Sequence, residues 1–418
     1  MAQTRSLSRN ETQAPTAAAE DTAPPRWKVW LAAWPVTAVF ILSNTATPLY
    51  VLWQREIGFS DGTLTVIFTS YIAGLLAALL AAGVASDRLG RKPVLLPALT
   101  LALIACLIFA TASSVLALVV ARFLSGVAVG AIVSAGMAAV TDVGGASRTR
   151  LASLLASTAM VLGAGLGPLL AGVLSETLPG PKVTIFMVEI VLLAAAFLVV
   201  MWLPARRGSA EATRGAGSWV RVPSVPPANR IHLMLGIVVF APGITATSFV
   251  LSLGPSVLAG QLGSDSRIVA GATAFVMFAA ATGMQFAVQR LGVRSILLGG
   301  AMSTVASMVT LMLAMHTTSV PLLVLAALLA GSGQGMGQLG GLSLLSANVP
   351  ARRRAEANAG LNVGGYVMAG TLPVAAGYLS DAVGLATGTT IFGTVMLLLA
   401  LLGGAFVLAG YRRISEHG

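Results

Sequence analysis

Two charged residues stand inside long apolar runs of this sequence, where a charge is costly and marks a functional candidate: Arg122 (ALVVARFLSGVAVG) and Glu189 (IFMVEIVLLAA). Counting from the polar turns at each run's start puts Arg122 about 12 Å and Glu189 about 10 Å below the same boundary, so the two could meet as a base-tuned, proton-carrying carboxylate. A second group of charges, Asp87, Arg88, Arg91 and Asp142, lies at the ends of apolar runs. There Asp87 can cap a helix, Gly90 permits a tight turn, Arg91 can fold back on Asp87, and Asp142 completes a carboxylate–guanidinium–carboxylate latch. Other chemistry finds no constellation. Cys106 is the single cysteine, and His232, His316 and His417 are scattered without ligand spacing, so no metal, cofactor or enzymatic centre is expected. The pair Gly331-x-Gly333 lacks the Lys-Ser/Thr that a phosphate loop needs.

The elements that carry these residues follow from composition. Of 418 residues 56% are hydrophobic and only 9% charged, against about 25% charged in soluble domains. Apolar runs fall at 29–53, 63–85, 93–112, 116–141, 151–175, 183–204, 231–258, 267–289, 295–315, 319–346, 356–379 and 386–410. Each approaches the ~20 residues a spanning helix needs, and only helices satisfy their backbone within such runs in lipid. The expected fold is an all-α membrane protein of twelve transmembrane helices. A polar tail (1–28) reads as disordered and shows no cleavable signal. Residues 29–204 and 231–410 read as two six-helix bundles joined by a cytoplasmic linker (205–230), with a tail at 411–418.

Of the 25 basic residues, 21 fall on the side that holds both termini and three on the other, with Arg122 within a span. That asymmetry predicts cytoplasmic termini and explains the net charge of +11 without a nucleic-acid partner. The halves repeat. Gly126, Gly130 and Gly136 recur as Gly331, Gly335 and Gly341, and Pro168, Gly172 and Ser175 as Pro373, Gly377 and Ser380, all at an offset of 205. A same-direction repeat predicts two bundles related by an axis along the membrane normal, with a substrate site between them near the midplane. The latch is not repeated, since Gln289 and Ala347 stand at the positions of Asp87 and Asp142, and Ala327 at that of Arg122.

Gly83-Val-Ala-Ser-Asp87-Arg88-Leu-Gly90-Arg91-Lys92 resembles motif A of the major facilitator superfamily, with Ala85 replacing the usual leucine. Gly163-x-x-x-Gly167-Pro168-x-x-x-Gly172 resembles motif C of its drug:proton antiporter branch, and Arg122-x-x-x-Gly126-x-x-x-Gly130 resembles motif B. The resemblance covers residues 29–410. It implies alternating access in a bacterial inner membrane, a monomer, and proton-coupled efflux of small apolar or amphiphilic compounds. Helix 1 lacks the acid that several members of that branch carry there, which leaves Glu189 as the proton group by elimination. The latch is expected to be intact when the protein opens outward and broken when it opens inward. Gly167 is expected at the interface with the second bundle, where leucine would wedge the bundles apart and alanine would be tolerated. Asn44, Thr45, Thr47, Arg122, Thr245, Thr247, Ser248, Gln334 and Gln338 are the candidate cavity residues. Two alternatives stay open: a carrier of a small organic anion held by Arg122, and a membrane receptor or lipid handler on the same fold.

Overall fold

The computed structural model describes residues 25–203 and 224–415. The expected N-terminal tail and most of the expected linker lie outside the described residues. Twelve long helical rods run in chain order: α1 (Arg26–Ile57), α2 (Asp61–Leu89), α3 (Lys92–Thr111), α4 (Val115–Gly144), α5 (Thr149–Thr177), α6 (Val183–Trp202), α7 (Pro227–Gln261), α8 (Arg267–Val288), α9 (Val293–Thr317), α10 (Val320–Asn348), α11 (Arg354–Val383) and α12 (Leu385–Ser415). No strand occurs among the described residues. Eleven of the rods are long and apolar enough to cross a membrane; α11 is the exception in composition. It carries Asn358 and Asn362 and a run of glycines where it faces α7, α2 and the central cavity. Arg26–Lys28, expected in the tail, form the first turn of α1.

Short turns join the rods, and their chemistry is local. Ser60, Ser114 and Ser266 each cap the helix that follows, accepting a hydrogen bond from Thr63, Ala117 and Val269 N–H. Gly90 closes α2 at φ 95°, a conformation that only glycine adopts without strain. Helix α1 is not continuous. Its α-helical hydrogen bonding stops at Thr45, and a 3₁₀ turn over Thr47–Leu49, with Pro48 near its start, leads into Tyr50–Ile57. Helix α4 contains a π turn at Ile132–Gly136.

The pairings within α1–α6 recur within α7–α12: α1 on α5 and α7 on α11, α2 on α4 and α8 on α10, α3 on α6 and α9 on α12. Glycines allow the close crossings. A Cβ on Gly126 or Gly130 would strike the backbone of α2 at Tyr71 and Leu75, and one on Gly331 or Gly335 the backbone of α8 at Met277 and Ala281. Two main interfaces join the bundles, α5 with α8 and α2 with α11, one on each side of the pseudo-twofold axis.

These interfaces are fastened near the turns that join α1 to α2, α5 to α6, α7 to α8 and α11 to α12, here called the hairpin end. Asp381, at the end of α11, accepts hydrogen bonds from the N–H groups of Asp61 and Gly62 at the start of α2, both at 3.0 Å. Glu176, at the end of α5, accepts from the N–H groups of Arg267 and Ile268 at the start of α8. The two carboxylates are 205 residues apart, the repeat offset. Each bundle therefore caps a helix of the other. Arg55–Asp265 and Ser256–Gln54 add to the seal. Between described residues, every hydrogen bond and ion pair joining the bundles lies in this half, with Thr69 to the Gly370 carbonyl the deepest. The protein is closed at the hairpin end.

Candidate functional site: a central cavity backed by two buried charges

Beneath that seal lies a cavity of about 220 Å³ between the bundles. The first bundle contributes rings, Phe40, Phe68 and Tyr71, with Ser43 and Asn44 at the break in α1. Facing them, the second bundle contributes amides, Gln285, Gln334, Gln338 and Asn362, together with Thr247, Ser248, Phe278 and Tyr366. No acidic or basic side chain lines it among the described residues. Several of its polar groups are already paired. Asn44 Nδ2 donates to Ser43 Oγ (2.9 Å), Ser43 Oγ to the Phe40 carbonyl (2.6 Å), and Thr247 Oγ1 to the Ile244 carbonyl (2.9 Å). Gln334 Oε1 is buried without a partner.

Of the expected cavity residues, Asn44, Thr247, Ser248, Gln334 and Gln338 line it, whereas Thr45, Thr47, Thr245 and Arg122 do not. Hydrophobic runs and turn positions give height along a helix but not the direction a side chain faces, and Arg122 and Thr45 face into their own bundle. Arg122 is fully buried behind the aromatic wall. Its Nε donates to Tyr50 Oη at 2.5 Å and its Nη1 to the Ser43 carbonyl at 2.7 Å. The rings of Tyr50, Phe68, Tyr71 and Phe109 surround its guanidinium carbon at 5.1–5.9 Å. The break in α1 is what presents both the Ser43 carbonyl and Tyr50 to one cation.

Glu189, also fully buried, does not pair with Arg122. Thr45 Oγ1 lies 2.7 Å from its Oε1, while Oε2 has no partner. No ion pair joins Arg122 and Glu189 among the described residues, which corrects the expectation that they meet. Their depths agree, but they approach α1 at different residues, and the rings of Phe109 and Phe186, stacked at 5.0 Å, fill the space beside them.

At the opposite end of the first bundle the latch is present. Arg91 Nη1 donates to Asp87 (3.0 Å) and to Ser86 Oγ (2.8 Å), and its Nε to Asp142 (3.1 Å). Burial works against the charge on Arg91, and its bonds to Asp142 and Asp87 outweigh that, so its pKa is raised above the ordinary value. These ion pairs coexist with a closed hairpin end, whereas rupture is expected there if that end faces outside. The reason is positional: α2, the turn after it and α4 belong to one bundle, so these two pairs need not separate when the bundles move apart. Arg88 stands in the last turn of α2, and the bonds described for the latch come from Arg91.

Helix α5 shows two faces. A Cβ on Gly163 or Gly167 would strike α1, the latter at 2.0 Å from the Ile41 carbonyl oxygen. Gly172 instead meets the Arg267 carbonyl of α8 at 2.3 Å, and the Pro168 carbonyl packs on Gly271 of α8. Gly167 therefore packs inside the first bundle, correcting its expected place at the bundle interface; Pro168 and Gly172, one residue further round the helix, hold that place.

The sequence matches the family described as Major Facilitator Superfamily over residues 29–287. The chain belongs to this superfamily. A superfamily member is a membrane transporter, not an enzyme, and it works on small-molecule substrates. Among curated relatives, the multidrug resistance protein MdtL of Klebsiella pneumoniae is 32% identical over 123 residues, covering 29% of this chain and 30% of the relative. MdtL of Escherichia coli (strain K12 / DH10B) is 32% identical over 122 residues, with the same coverage. The chain thus spans less than a third of the length of the curated relatives it matches. Similar solved structures include a bacterial homolog of the human lysosomal transporter Spinster (TM-score 0.72, 14% identity, covering 92% of this chain and 96% of that one). Another is a POT family transporter in complex with 5-aminolevulinic acid (TM-score 0.72, 13% identity, 92% and 96%). At such identities these structures share the superfamily fold.

Tyr50, Tyr71, Tyr366, Gln285 and Asn362 were not singled out from the sequence. An aromatic or amide residue in an apolar span carries no local mark of facing a cavity; for Tyr366 and Asn362 the spacing of four on α11 is the one available signal.

Proposed function

We propose that the protein is a secondary active exporter of small apolar or amphiphilic compounds, working by alternating access and coupled to protons through Glu189. The observation that carries the coupling is a hydrogen-bond count. Thr45 Oγ1 lies 2.7 Å from both the Ile41 carbonyl and Glu189 Oε1, and its hydroxyl has one proton. An ionised Glu189 and the carbonyl would compete for that proton. A protonated Glu189 donates to Thr45, which then donates to Ile41, so both of those contacts are satisfied and only Oε2 is left without a partner. Thr45 follows Ser43 and Asn44, which line the cavity, so a change in cavity occupancy reaches Glu189 through one turn of α1.

Export is supported by the similarity to MdtL and by the apolar, aromatic cavity. The organic-anion alternative loses its anchor, because Arg122 is sealed behind Phe68 and Tyr71. Basic-residue asymmetry supports cytoplasmic termini in a bacterial inner membrane, and in that orientation closure at the hairpin end is closure to the outside. Reporter fusions after Arg352 and after Gly384 should read cytoplasmic and periplasmic; the reverse pattern overturns this orientation.

Coupling is tested in proteoliposomes with an imposed pH gradient. Glu189→Gln should abolish uphill accumulation and leave substrate exchange intact. Accumulation that survives the substitution rules Glu189 out as the carrier.

A further inference from the structure

We propose that the cavity selects uncharged, flat aromatic molecules that carry a hydrogen-bond donor on one edge, and that Gln334 reads that donor. The inference rests on the exporter reading only in taking this cavity as the substrate site.

Three observations converge. First, among the described residues Gln334 Oε1 is the buried acceptor in the cavity wall that lacks a partner, and leaving such a group unpaired is costly. An N–H or O–H on the ligand relieves it; an anion, bringing only lone pairs, does not. Second, the cavity offers two kinds of surface, rings from both bundles (Phe40, Phe68 and Tyr71; Phe278 and Tyr366) and amides drawn mainly from the second (Gln285, Gln334, Gln338 and Asn362). A planar molecule can lie against the rings with a polar edge towards the amides. Third, Arg122 stands behind Phe68 and Tyr71, at 5.6 and 5.8 Å from their centroids, and both rings face the cavity. Their π faces are already engaged by one cation. A cationic ligand would meet that charge through the rings and find no carboxylate in the wall to offset its desolvation.

The test uses a fluorescent series on one ring system: acridone, which is neutral with an N–H; N-methylacridone, neutral without it; N-methylacridinium, a permanent cation; and acridine-9-carboxylate. Equilibrium binding is measured on the full-length protein in lipid nanodiscs. Acridone should bind about tenfold more tightly than N-methylacridone, and the two ions more weakly still. Gln334→Leu should erase the difference between the two neutral probes. Gln334→Glu should admit N-methylacridinium, and lose it again as the pH is lowered and the new carboxylate protonates. Wild-type protein that binds the cation as tightly as acridone, or fails to bind acridone, overturns the proposal whatever the variants do. So does a well-folded Gln334→Leu protein that keeps the preference for acridone. Accumulation under a pH gradient is read separately: selective binding without accumulation removes the proton-coupled exporter reading and leaves the selectivity standing.

Discussion

Arg122 has five N–H donors, and the cage described above engages Nε and Nη1 while Nη2 stays without a partner. Tyr50→Phe leaves Nε unpaired as well, in a site water does not reach. It should lower stability by roughly 1–3 kcal/mol, seen as an earlier thermal unfolding midpoint of the purified protein. Arg122→Lys should do worse than its charge conservation suggests, since an ammonium cannot hold Tyr50 and Ser43 at once while lying against four rings. A lysine variant as stable as the wild type would show that charge alone matters there. For Glu189, a double-mutant cycle with Thr45→Val should give a coupling energy of about 1 kcal/mol; additive effects would mean the pair is not bonded. Both charges were legible in the sequence as anomalies in apolar runs, and their depth was too. Their partners were not, because Tyr50, Phe68 and Phe109 come from three different helices and look, in sequence, like any aromatic residue in a span.

Among the elements, α5 separates two kinds of packing that one sequence motif combines. Gly167→Ala puts a methyl group 2.0 Å from a backbone oxygen of α1, which no side-chain adjustment relieves. Alanine should therefore be nearly as damaging as leucine, and the loss should appear as reduced stability of the folded protein. Gly172→Ala strains the contact with α8 instead, so it should alter transport and the balance of conformations at smaller cost to thermal stability. Equal unfolding shifts for the two variants would argue that α5 has no such division. The twelve helices were legible from apolar length, and the bundles from the repeated Gly and Pro positions. What apolar length does not convey is the break in α1 at Ala46–Pro48, where the hydrogen-bond pattern changes within one continuous apolar run, nor the side of α5 on which each glycine packs.

Across the whole molecule, the closed end is held by Glu176 and Asp381, each on two backbone N–H groups of the opposite bundle. Such caps are worth roughly 1 kcal/mol each, so removing both should favour the opposite conformation by about thirtyfold. Glu176→Gln with Asp381→Asn, in a Cys106→Ala background, should speed alkylation of a cysteine placed at Ser256. An unchanged rate would show that the apolar contacts alone hold this face shut. The offset of 205 that relates Ser175 to Ser380 also relates these carboxylates, yet at the ends of spans they read as ordinary boundary charges. Because the two attachments sit on either side of the axis, they fail unequally when lost singly. One remaining clasp becomes a pivot, and the bundles swing about it like a door on its hinge, parting along one flank and not through the centre. A single substitution thus points towards a sideways slit facing lipid, whereas the double one frees the central route to water.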